Sequence, residues 1–379
     1  MMRRWAALSG AAVLAGLLVA GWGWRLWTGP GPLPSREQGA LPGEEVGEEA
    51  ALVRIPLGMT LTAAADSLAA RGLLRHPAVL RAGARLTGRD RALRAGLYSM
   101  PYGSSPRELL RILTAGEAVQ VKVTIPEGLA AEDIAALVAG ALGFPPIDFL
   151  AAADSLVAAA AARGGLLKGT PAAHDSLLAA ESARHPRRFH WCEGHLAPDT
   201  FQFAEGTSAA AAALFLVTTQ WARLDSVMAV SGSADSLELS RQEVLTLASI
   251  VEAEARRSEE RPLIAAVYVN RLRKGWRLEA DPTVAFVLQK QGKRLFYKDL
   301  EVSSAFNTYL NRGLPPGPIG SPGLAALTAA AHPDSTCRAM FFVSDGAGGH
   351  VFSRTGQEHE KAVRDFRRAR KADRGPGNH

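Results

Sequence analysis

The sequence predicts an α+β fold, and three kinds of segment lead to that prediction. Two capping boxes, Ser105–Glu108 and Ser240–Glu243, mark the starts of helices that carry apolar residues at helical spacing. The alternating run Ala51–Ile55 is typical of a short strand. The segment Phe341–Phe352 combines an apolar run, a glycine-rich turn and a second apolar run, which predicts a β-hairpin.

The composition is that of a globular protein. Of the 379 residues, 47% are apolar and 21% are charged, which excludes a chain disordered throughout and a coiled-coil rod. Two cysteines, Cys192 and Cys337, are too few for a disulfide scaffold or a four-thiolate zinc module. We expect both thiols to be unpaired, and a disulfide between them is the alternative. Much of the net charge of +6 comes from residues near the two ends, so we predict no nucleic-acid partner.

An apolar segment near the amino terminus predicts a membrane anchor. No charged residue occurs from Trp5 to Trp24, and a run of about 20 residues is long enough to cross a bilayer core. Arg3 and Arg4 precede it, so we expect a cytoplasmic amino terminus and periplasmic or extracytoplasmic domains. The alternative is a cleaved signal peptide, but the bulky residues directly after the segment favour a single-pass helix in the cell (inner) membrane.

Changes in composition predict five segments. They are a cytoplasmic tip with a transmembrane helix (1–27), a flexible linker rich in Pro, Gly and Glu (28–50), a small α+β module (51–118), a larger α+β domain (119–370) and a disordered tail (371–379). Within the larger domain, an Ala-rich insert at about 145–190 is expected to be helical.

The small module has signals for three helices and two strands. After the strand at Ala51–Ile55, we expect a helix from a Thr60 cap through Leu73, a helix over Pro77–Leu86, a strand over Gly96–Met100 and a helix from Ser105 to Leu113. A unit of roughly 65 residues is marginally stable alone.

One helix of the larger domain carries a candidate catalytic acid. We expect it to run from Ser240 to about Arg257. At about 100° per residue, Glu254 falls on the same apolar arc as Leu247 and Ile250. A carboxyl group on such an arc is either paired with a cation or has a raised pKa, and a raised pKa prepares a general acid for neutral pH. A structural glutamate bonded to an arginine is the alternative.

The neighbouring Glu252 is predicted to point away from Glu254. Side chains two positions apart on a helix lie on nearly opposite sides, so these carboxyl groups cannot form the facing pair of ordinary glycosidases.

Several segments after this helix suggest a binding site. Tyr268–Leu272 lies on a second helix that ends at Gly275, and Asp281 is placed to cap a further helix or bind a polar group. The segment Gly313–Gly323 is rich in Gly and Pro, so we expect it to form a rigid rim where a groove meets the Glu254 helix.

Motifs in the second half of the chain resemble the YceG-like family, the MltG-type endolytic murein transglycosylases. The matching segments are Ala248–Glu254, Val269–Leu272, Asp281–Val284, Asn307–Tyr309, Gly313–Gly317, Ala331–Pro333 and Phe342–Phe352. Cys192–Phe201 is similar to a further family segment, although His195 and Ala197 replace residues that are usually aromatic; Phe306 stands where the family usually has Tyr. The anchor also agrees, and the small module is similar to the family's LysM-like subdomain.

The resemblance implies a lyase that cleaves the β-1,4 bond between N-acetylmuramic acid and N-acetylglucosamine within nascent peptidoglycan strands. The family's catalytic glutamate corresponds to Glu254, which would protonate the leaving oxygen and then deprotonate the C6 hydroxyl. The product would carry a 1,6-anhydro end, which terminates strand elongation. Partners implied by the family are the glycan strands and the peptidoglycan synthases of elongation or division.

The candidates for substrate contacts lie in the matched motifs and loops. They are Asp281, Thr283, Asn307, Tyr309, Pro315, Gly317 and His350. For Asn307, Tyr309 and Asp281 a purely structural role in loops and caps is the alternative. We expect no cofactor and no metal ion.

Two other functions stay open at this point. A metal-dependent wall hydrolase is suggested by residues that could bind zinc: His190, Cys192 and His195, which are close in sequence, and the later His332, His350 and His359. The spacing of the first three is not an established ligand pattern. The second alternative is a non-catalytic peptidoglycan-binding or scaffold protein, in which Glu254 is merely buried.

Overall fold

The fold combines helices with small two-stranded sheets in two compact units. The computed structural model describes residues 21–32, 50–56, 58–94, 96–115, 119–163, 171–230 and 239–373. The smaller unit contains the described residues up to Lys122 together with Gln202–Thr207, and the larger contains Val123–Phe201 and the described residues from Ser208 onward. Within the described ranges the strands pair only two at a time and helices lie between them in the chain, which confirms the predicted α+β class.

The predicted membrane segment falls mainly on residues 1–20, which lie outside the described part of the chain, as do residues 33–49 of the predicted linker. Residues 21–28 are helical (α1). Among the residues that the structure describes, no helix has both the length and the apolar character needed to span a membrane.

The smaller unit follows the order predicted from its local signals. Its elements are β1 (Ala50–Ile55), α2 (Leu61–Ala70), α3 (Pro77–Leu86), β2 (Gly96–Pro101) and α4 (Pro106–Ala115). The strands β1 and β2 are antiparallel, with Ala50 opposite Pro101. Thr60 Oγ1 accepts from the N–H of Ala63, which confirms the predicted cap. Helix α2 ends three residues before the predicted Leu73, because Gly72 adopts the left-handed φ of +71° that stops a helix.

A pair of strands and four helices form the first part of the larger unit. The strands β3 (Gln120–Ile125) and β4 (Asp199–Ala204) pair with each other, and residues 123–125 and 199–201 of this pair belong to the larger unit. The helices are α5 (Ala131–Leu142), α6 (Pro146–Ala162), α7 (Pro171–Arg184) and α8 (Ala209–Met228). Helices α6 and α7 lie in the Ala-rich segment, so its described residues 146–162 and 171–184 are helical as predicted.

The second part of the larger unit is built around one buried helix. Its elements are α9 (Arg241–Glu254), α10 (Arg261–Arg273), α11 (Asp281–Val287), α12 (Leu324–Ala331), β5 (Phe341–Ser344), β6 (His350–Ser353) and α13 (Gly356–Asp373). Helix α9 packs against α10, α11 and α12, and Leu247 and Ile250 are fully buried in the core they share. Strands β5 and β6 form the predicted hairpin, with Ser344 opposite His350. Helix α13 continues three residues past the predicted boundary at 370.

The ends of α9 decide where Glu254 lies. The predicted capping box is confirmed: Ser240 Oγ accepts from the N–H of Glu243, and Glu243 Oε2 accepts from the N–H of Ser240 at 2.9 Å. The predicted end at about Arg257 is wrong, because Ala255 takes an extended conformation (φ −77°, ψ 119°). Glu254 is therefore the last residue of the helix.

The Gly- and Pro-rich segment 313–323 is not the rim of a groove beside Glu254, and that prediction is wrong. Most of it is buried, and the N–H of Ile319 donates to Ser249 Oγ at 3.0 Å. A Cβ atom at Gly320 would lie 2.6 Å from the carbonyl oxygen of Gly128. The glycines therefore permit close packing of one backbone segment on another.

Candidate active site

A cavity of about 670 Å³ opens beside the last turn of α9. Glu254 and Arg256 line it on this side, and Tyr268 and Arg271 line it from α10. The remaining wall comes from the β5–β6 hairpin and three loops or helix ends, including Glu279, Asp281, Tyr309, Phe341, Phe342, His350 and His359. All of these residues belong to the larger unit.

Glu254 presents a half-buried carboxyl group to this cavity. The hydroxyl of Tyr268, a residue that is only 1% exposed, donates to Glu254 Oε1 at 2.9 Å. Burial raises the pKa of Glu254 to about 7; the negative charge of Asp281 acts in the same direction, whereas the Tyr268 hydrogen bond and Arg271 oppose it. Within the described ranges, no Lys or Arg forms an ion pair with this carboxyl group. Both of its protonation states are therefore populated near neutral pH.

Arg271 is a buried cation in the cavity wall that is held by backbone carbonyl groups. Its Nε donates to the oxygen of Met340 at 2.8 Å and its Nη1 to the oxygen of Leu278 at 2.5 Å. The guanidinium carbon also lies 5.5 Å from the centre of the Phe341 ring. Arg271 thus connects α10 to the hairpin and adds positive charge near Glu254 without neutralising it directly.

Glu252 has a structural role on a different side of α9, in agreement with the predicted separation of the two carboxyl groups. Its Oε1 accepts from Arg261 Nη2 at 2.8 Å, and its Oε2 accepts from the N–H of Gly323 at 3.0 Å. It does not line the cavity.

Asp281 and Tyr309 form a hydrogen-bonded pair on the cavity wall. The hydroxyl of Tyr309 donates to Asp281 Oδ1 at 2.6 Å. Burial and the carboxylate of Asp281 raise the pKa of Tyr309, so its hydroxyl keeps its proton. Asp281 is the first residue of α11 and Ala280 is the N-cap, so the predicted capping role of Asp281 is wrong.

His350 also lines the cavity and ties the hairpin to the turn that follows α9. Its Nδ1 lies 2.8 Å from Glu260 Oε2, and its backbone N–H donates to Glu260 Oε1 at 2.9 Å. The ring of Phe342 packs edge to face against the imidazole, with 5.2 Å between centroids. These contacts hold the hairpin wall in place next to Glu254.

The other four predicted substrate contacts lie away from the cavity. Asn307 is fully buried and its Nδ2 donates to the oxygens of Leu300 and Val302. The hydroxyl of Thr283 is buried and donates to a backbone oxygen at the start of α11. Pro315 and Gly317 belong to the buried segment 313–323. Their contacts support loops, which is the role that buried polar and turn residues usually have.

The histidine and cysteine residues considered for a metal site are engaged in other contacts. His190 Nδ1 lies 2.9 Å from Asp154 Oδ2, and His195 lies between Gln242 and Trp221, with one ring nitrogen bonded to each. Burial lowers the pKa of His195 to about 4, so the ring is neutral. In the described part of the chain no three His, Cys, Asp or Glu side chains are placed to hold a metal ion, and neither Cys192 nor Cys337 is in a disulfide.

Sequence reasoning included the segments Tyr268–Leu272 and Phe341–Phe352 but did not single out Tyr268, Arg271 or Phe341 as residues of this site, and it missed Glu279. Tyr268 and Arg271 occupy positions three apart on α10, a spacing that places them on one face and that could have been noticed. Glu279 has a left-handed φ of +49°, and Phe341 reaches the cavity from a distant strand. Neither of these two had a local signal.

The fold and site together define an α+β protein with a polar cavity built around one carboxylic acid of raised pKa, as in sites for acid–base chemistry. The model of the YceG-like family matches residues 53–365, and the chain belongs to this family.

Three known proteins show how far the similarity extends. The chain is 29% identical over 315 residues to the endolytic murein transglycosylase of Bacillus subtilis (strain 168), covering 83% of this chain and 84% of that protein. It is 29% identical over 328 residues to the protein of the same name from Streptococcus pneumoniae (strain ATCC BAA-255 / R6), covering 82% of this chain but 57% of the relative. The crystal structure of a yceG-like protein from Listeria monocytogenes has a TM-score of 0.51 at 27% identity, covering 83% of this chain and 99% of that one.

Proposed function

We propose that this protein is an endolytic lytic transglycosylase of peptidoglycan and that Glu254 is its catalytic acid and base. The observation that carries the proposal is the carboxyl group of Glu254, which is half-buried, faces an open cavity and has a pKa of about 7. Family membership, and relatives named endolytic murein transglycosylases, support this class of reaction.

The reaction needs two proton transfers at one carboxyl group. Protonated Glu254 donates to the glycosidic oxygen as the bond between C1 of N-acetylmuramic acid and that oxygen breaks. The resulting carboxylate accepts the proton of the C6 hydroxyl, and the C6 oxygen bonds to C1 to give the 1,6-anhydro ring. No water is consumed and Glu254 returns to its protonated state. Because the nucleophile belongs to the same sugar, its effective concentration at C1 is high and no second carboxylate is required.

The residues around Glu254 stabilise both of its protonation states. Burial favours the protonated acid, whereas the hydrogen bond that Tyr268 donates stabilises the carboxylate formed between the two steps. The carboxylate of Asp281, which also lines the cavity, provides negative charge for the oxocarbenium-like transition state, and Tyr309 holds that carboxylate in position. Tyr268 and Tyr309 are positioning residues in this scheme.

The test compares the products of the native enzyme with those of Glu254→Gln on purified peptidoglycan, by mass spectrometry. The native enzyme should release fragments with 1,6-anhydro ends, and the variant should release none while keeping its circular dichroism spectrum. The matched control is Glu259→Gln, an exposed carboxylate in the turn after α9, which should behave as the native enzyme. Reducing ends in place of anhydro ends would identify a hydrolase, and unchanged activity in Glu254→Gln would remove the acid from the mechanism.

The proposal also covers the membrane anchor, the two domains and the partners of the protein. We propose a single-pass anchor in the cytoplasmic membrane, supported by the uncharged run from Trp5 to Trp24 behind Arg3 and Arg4. We propose that residues 51–118 form a LysM-like module and 119–370 the catalytic domain; the order β1–α2–α3–β2 with an antiparallel strand pair supports the first. Peptidoglycan synthases would be its partners. Membrane fractionation and protease accessibility in intact cells test the anchor and its orientation.

A further inference from the structure

An exposed aromatic ring continues the wall of the cavity outward. Trp276 follows the end of α10 and is 43% exposed. The centre of its ring lies 5.9 Å from that of Phe341, which lines the Glu254 cavity. Trp276 itself does not line the cavity, so the contact with Phe341 extends the aromatic surface beyond it.

The backbone under this ring is held firmly. The N–H of Trp276 donates to the oxygen of Arg271 at 2.9 Å, and Arg312 Nη1 donates to the oxygen of Gly275 at 2.8 Å. Phe341 is fixed in turn, because its ring stacks on His359 with 5.1 Å between centroids. A surface that is already ordered loses little conformational entropy when a ligand binds to it.

We propose that Trp276 is the stacking platform of a further saccharide subsite, outside the cavity, for the glycan strand. This inference rests on the proposed function. A cavity of about 670 Å³ is the size of a site for a small molecule, for which about 300–1,000 Å³ is usual. An enzyme that cuts within a polymer must hold sugar rings on both sides of the cut, so the strand has to continue past such a cavity. The C–H face of a pyranose ring packs on the flat face of an indole.

The surroundings of Trp276 favour a sugar over a protein as the occupant. The Lys274 ammonium lies 5.9 Å from the centre of the ring, and the next residue in the chain, Arg277, is also exposed. One aromatic ring among charged side chains is far smaller than a protein interface, which buries about 800 Å² on each partner. It matches one sugar ring, whose hydroxyl groups can bond to the neighbouring cations.

The test measures binding to Glu254→Gln, which holds the strand without cutting it. Uncrosslinked glycan strands and a tetrasaccharide are the two probes, and Trp276→Ala is added to the Glu254→Gln background. We expect about a fivefold to tenfold weaker Kd for the long strands, from the usual contribution of an aromatic contact, and an unchanged Kd for the tetrasaccharide. Trp276→Phe should retain most of the affinity. The matched control is Phe296→Ala, which removes an aromatic ring that is 53% exposed and does not line the cavity.

Two results would overturn the subsite. Equal affinity of Trp276→Ala for long strands would show that the ring is not used, and equal losses for both probes would show that it only supports the cavity through Phe341. Failure of the proposed function is seen separately, as the absence of anhydro ends from the products of the native enzyme. Thermal unfolding of each variant confirms that the fold is retained.

Discussion

Replacing Glu254 by Gln is expected to stop the reaction and, at the same time, to stabilise the fold above neutral pH. In the folded protein, burial raises the pKa of this carboxyl group from 4.5 to about 7. Between these two pH values the folded state holds a proton that the unfolded state has released, so the free energy of unfolding falls as the pH rises through this window. Gln has nearly the same shape as Glu and does not ionise. The free energy of unfolding of Glu254→Gln therefore lacks the contribution that falls with pH in the native protein.

The size of the effect follows from the pKa. A pKa of about 7 in place of 4.5 corresponds to about 3 kcal/mol for a fully desolvated group. Because the Glu254 side chain is only half-buried, solvent screening reduces this to about 1–2 kcal/mol. Glu193 titrates in the same window, since burial raises its pKa to about 7 as well. The variant therefore keeps part of the pH dependence of the native protein.

Urea unfolding at pH 4.5 and pH 8 measures the difference. The two proteins should have nearly equal free energies of unfolding at pH 4.5, and Glu254→Gln should be the more stable by about 1–2 kcal/mol at pH 8. The exposed control Glu259→Gln should show no such pH-dependent gain. If Glu254→Gln is equally stable or less stable at pH 8, burial does not raise the pKa of the Glu254 carboxyl group, and this group is not prepared to act as a general acid at neutral pH.

Three further substitutions test individual contacts. Tyr268→Phe removes the hydroxyl that donates to Glu254, so the pKa of the carboxyl group should rise further and the basic limb of the pH–rate profile should move to higher pH; an unmoved limb would contradict the contact. Glu252→Gln leaves the buried charge of Arg261 without its close partner, so the free energy of unfolding in urea should fall by about 3 kcal/mol. A change near zero would show that this ion pair does not stabilise the fold. Ser240→Ala removes the N-cap of α9 and should cost about 1 kcal/mol, and Ser240→Thr should restore most of it.

The parts of the fold that could be predicted from the sequence are those fixed by neighbouring residues. The capping box at Ser240 and the turn between β5 and β6 each depend on a few consecutive positions, and both are present as expected. The direction of Glu254 relative to Glu252 follows from helical geometry alone. The end of α9 could not be predicted in this way, because nothing local in the sequence forces Ala255 out of the helix.

The site walls depended on contacts between distant segments. A loop rich in Gly and Pro is equally suited to ligand approach and to tight backbone packing, and only the position of Gly128 against Gly320 decides between them. Likewise, Tyr309 meets Asp281 and the hairpin closes beside Glu254 because of tertiary packing. Family resemblance pointed to Glu254, which the structure places in the cavity wall, but it did not separate wall residues from buried supports such as Asn307.

The early end of α9 has an electrostatic consequence for the acid that it carries. The peptide dipoles of a helix add to a partial negative charge of about half an electron at its carboxyl end, where the last carbonyl groups point outward. Glu254 is the final residue of α9, so its side chain lies at this pole and not one turn inside the helix. Such a pole repels a carboxylate by about 0.3–1 kcal/mol and leaves a neutral acid almost unaffected. The point at which the backbone leaves the helix thus helps to keep a proton available at neutral pH.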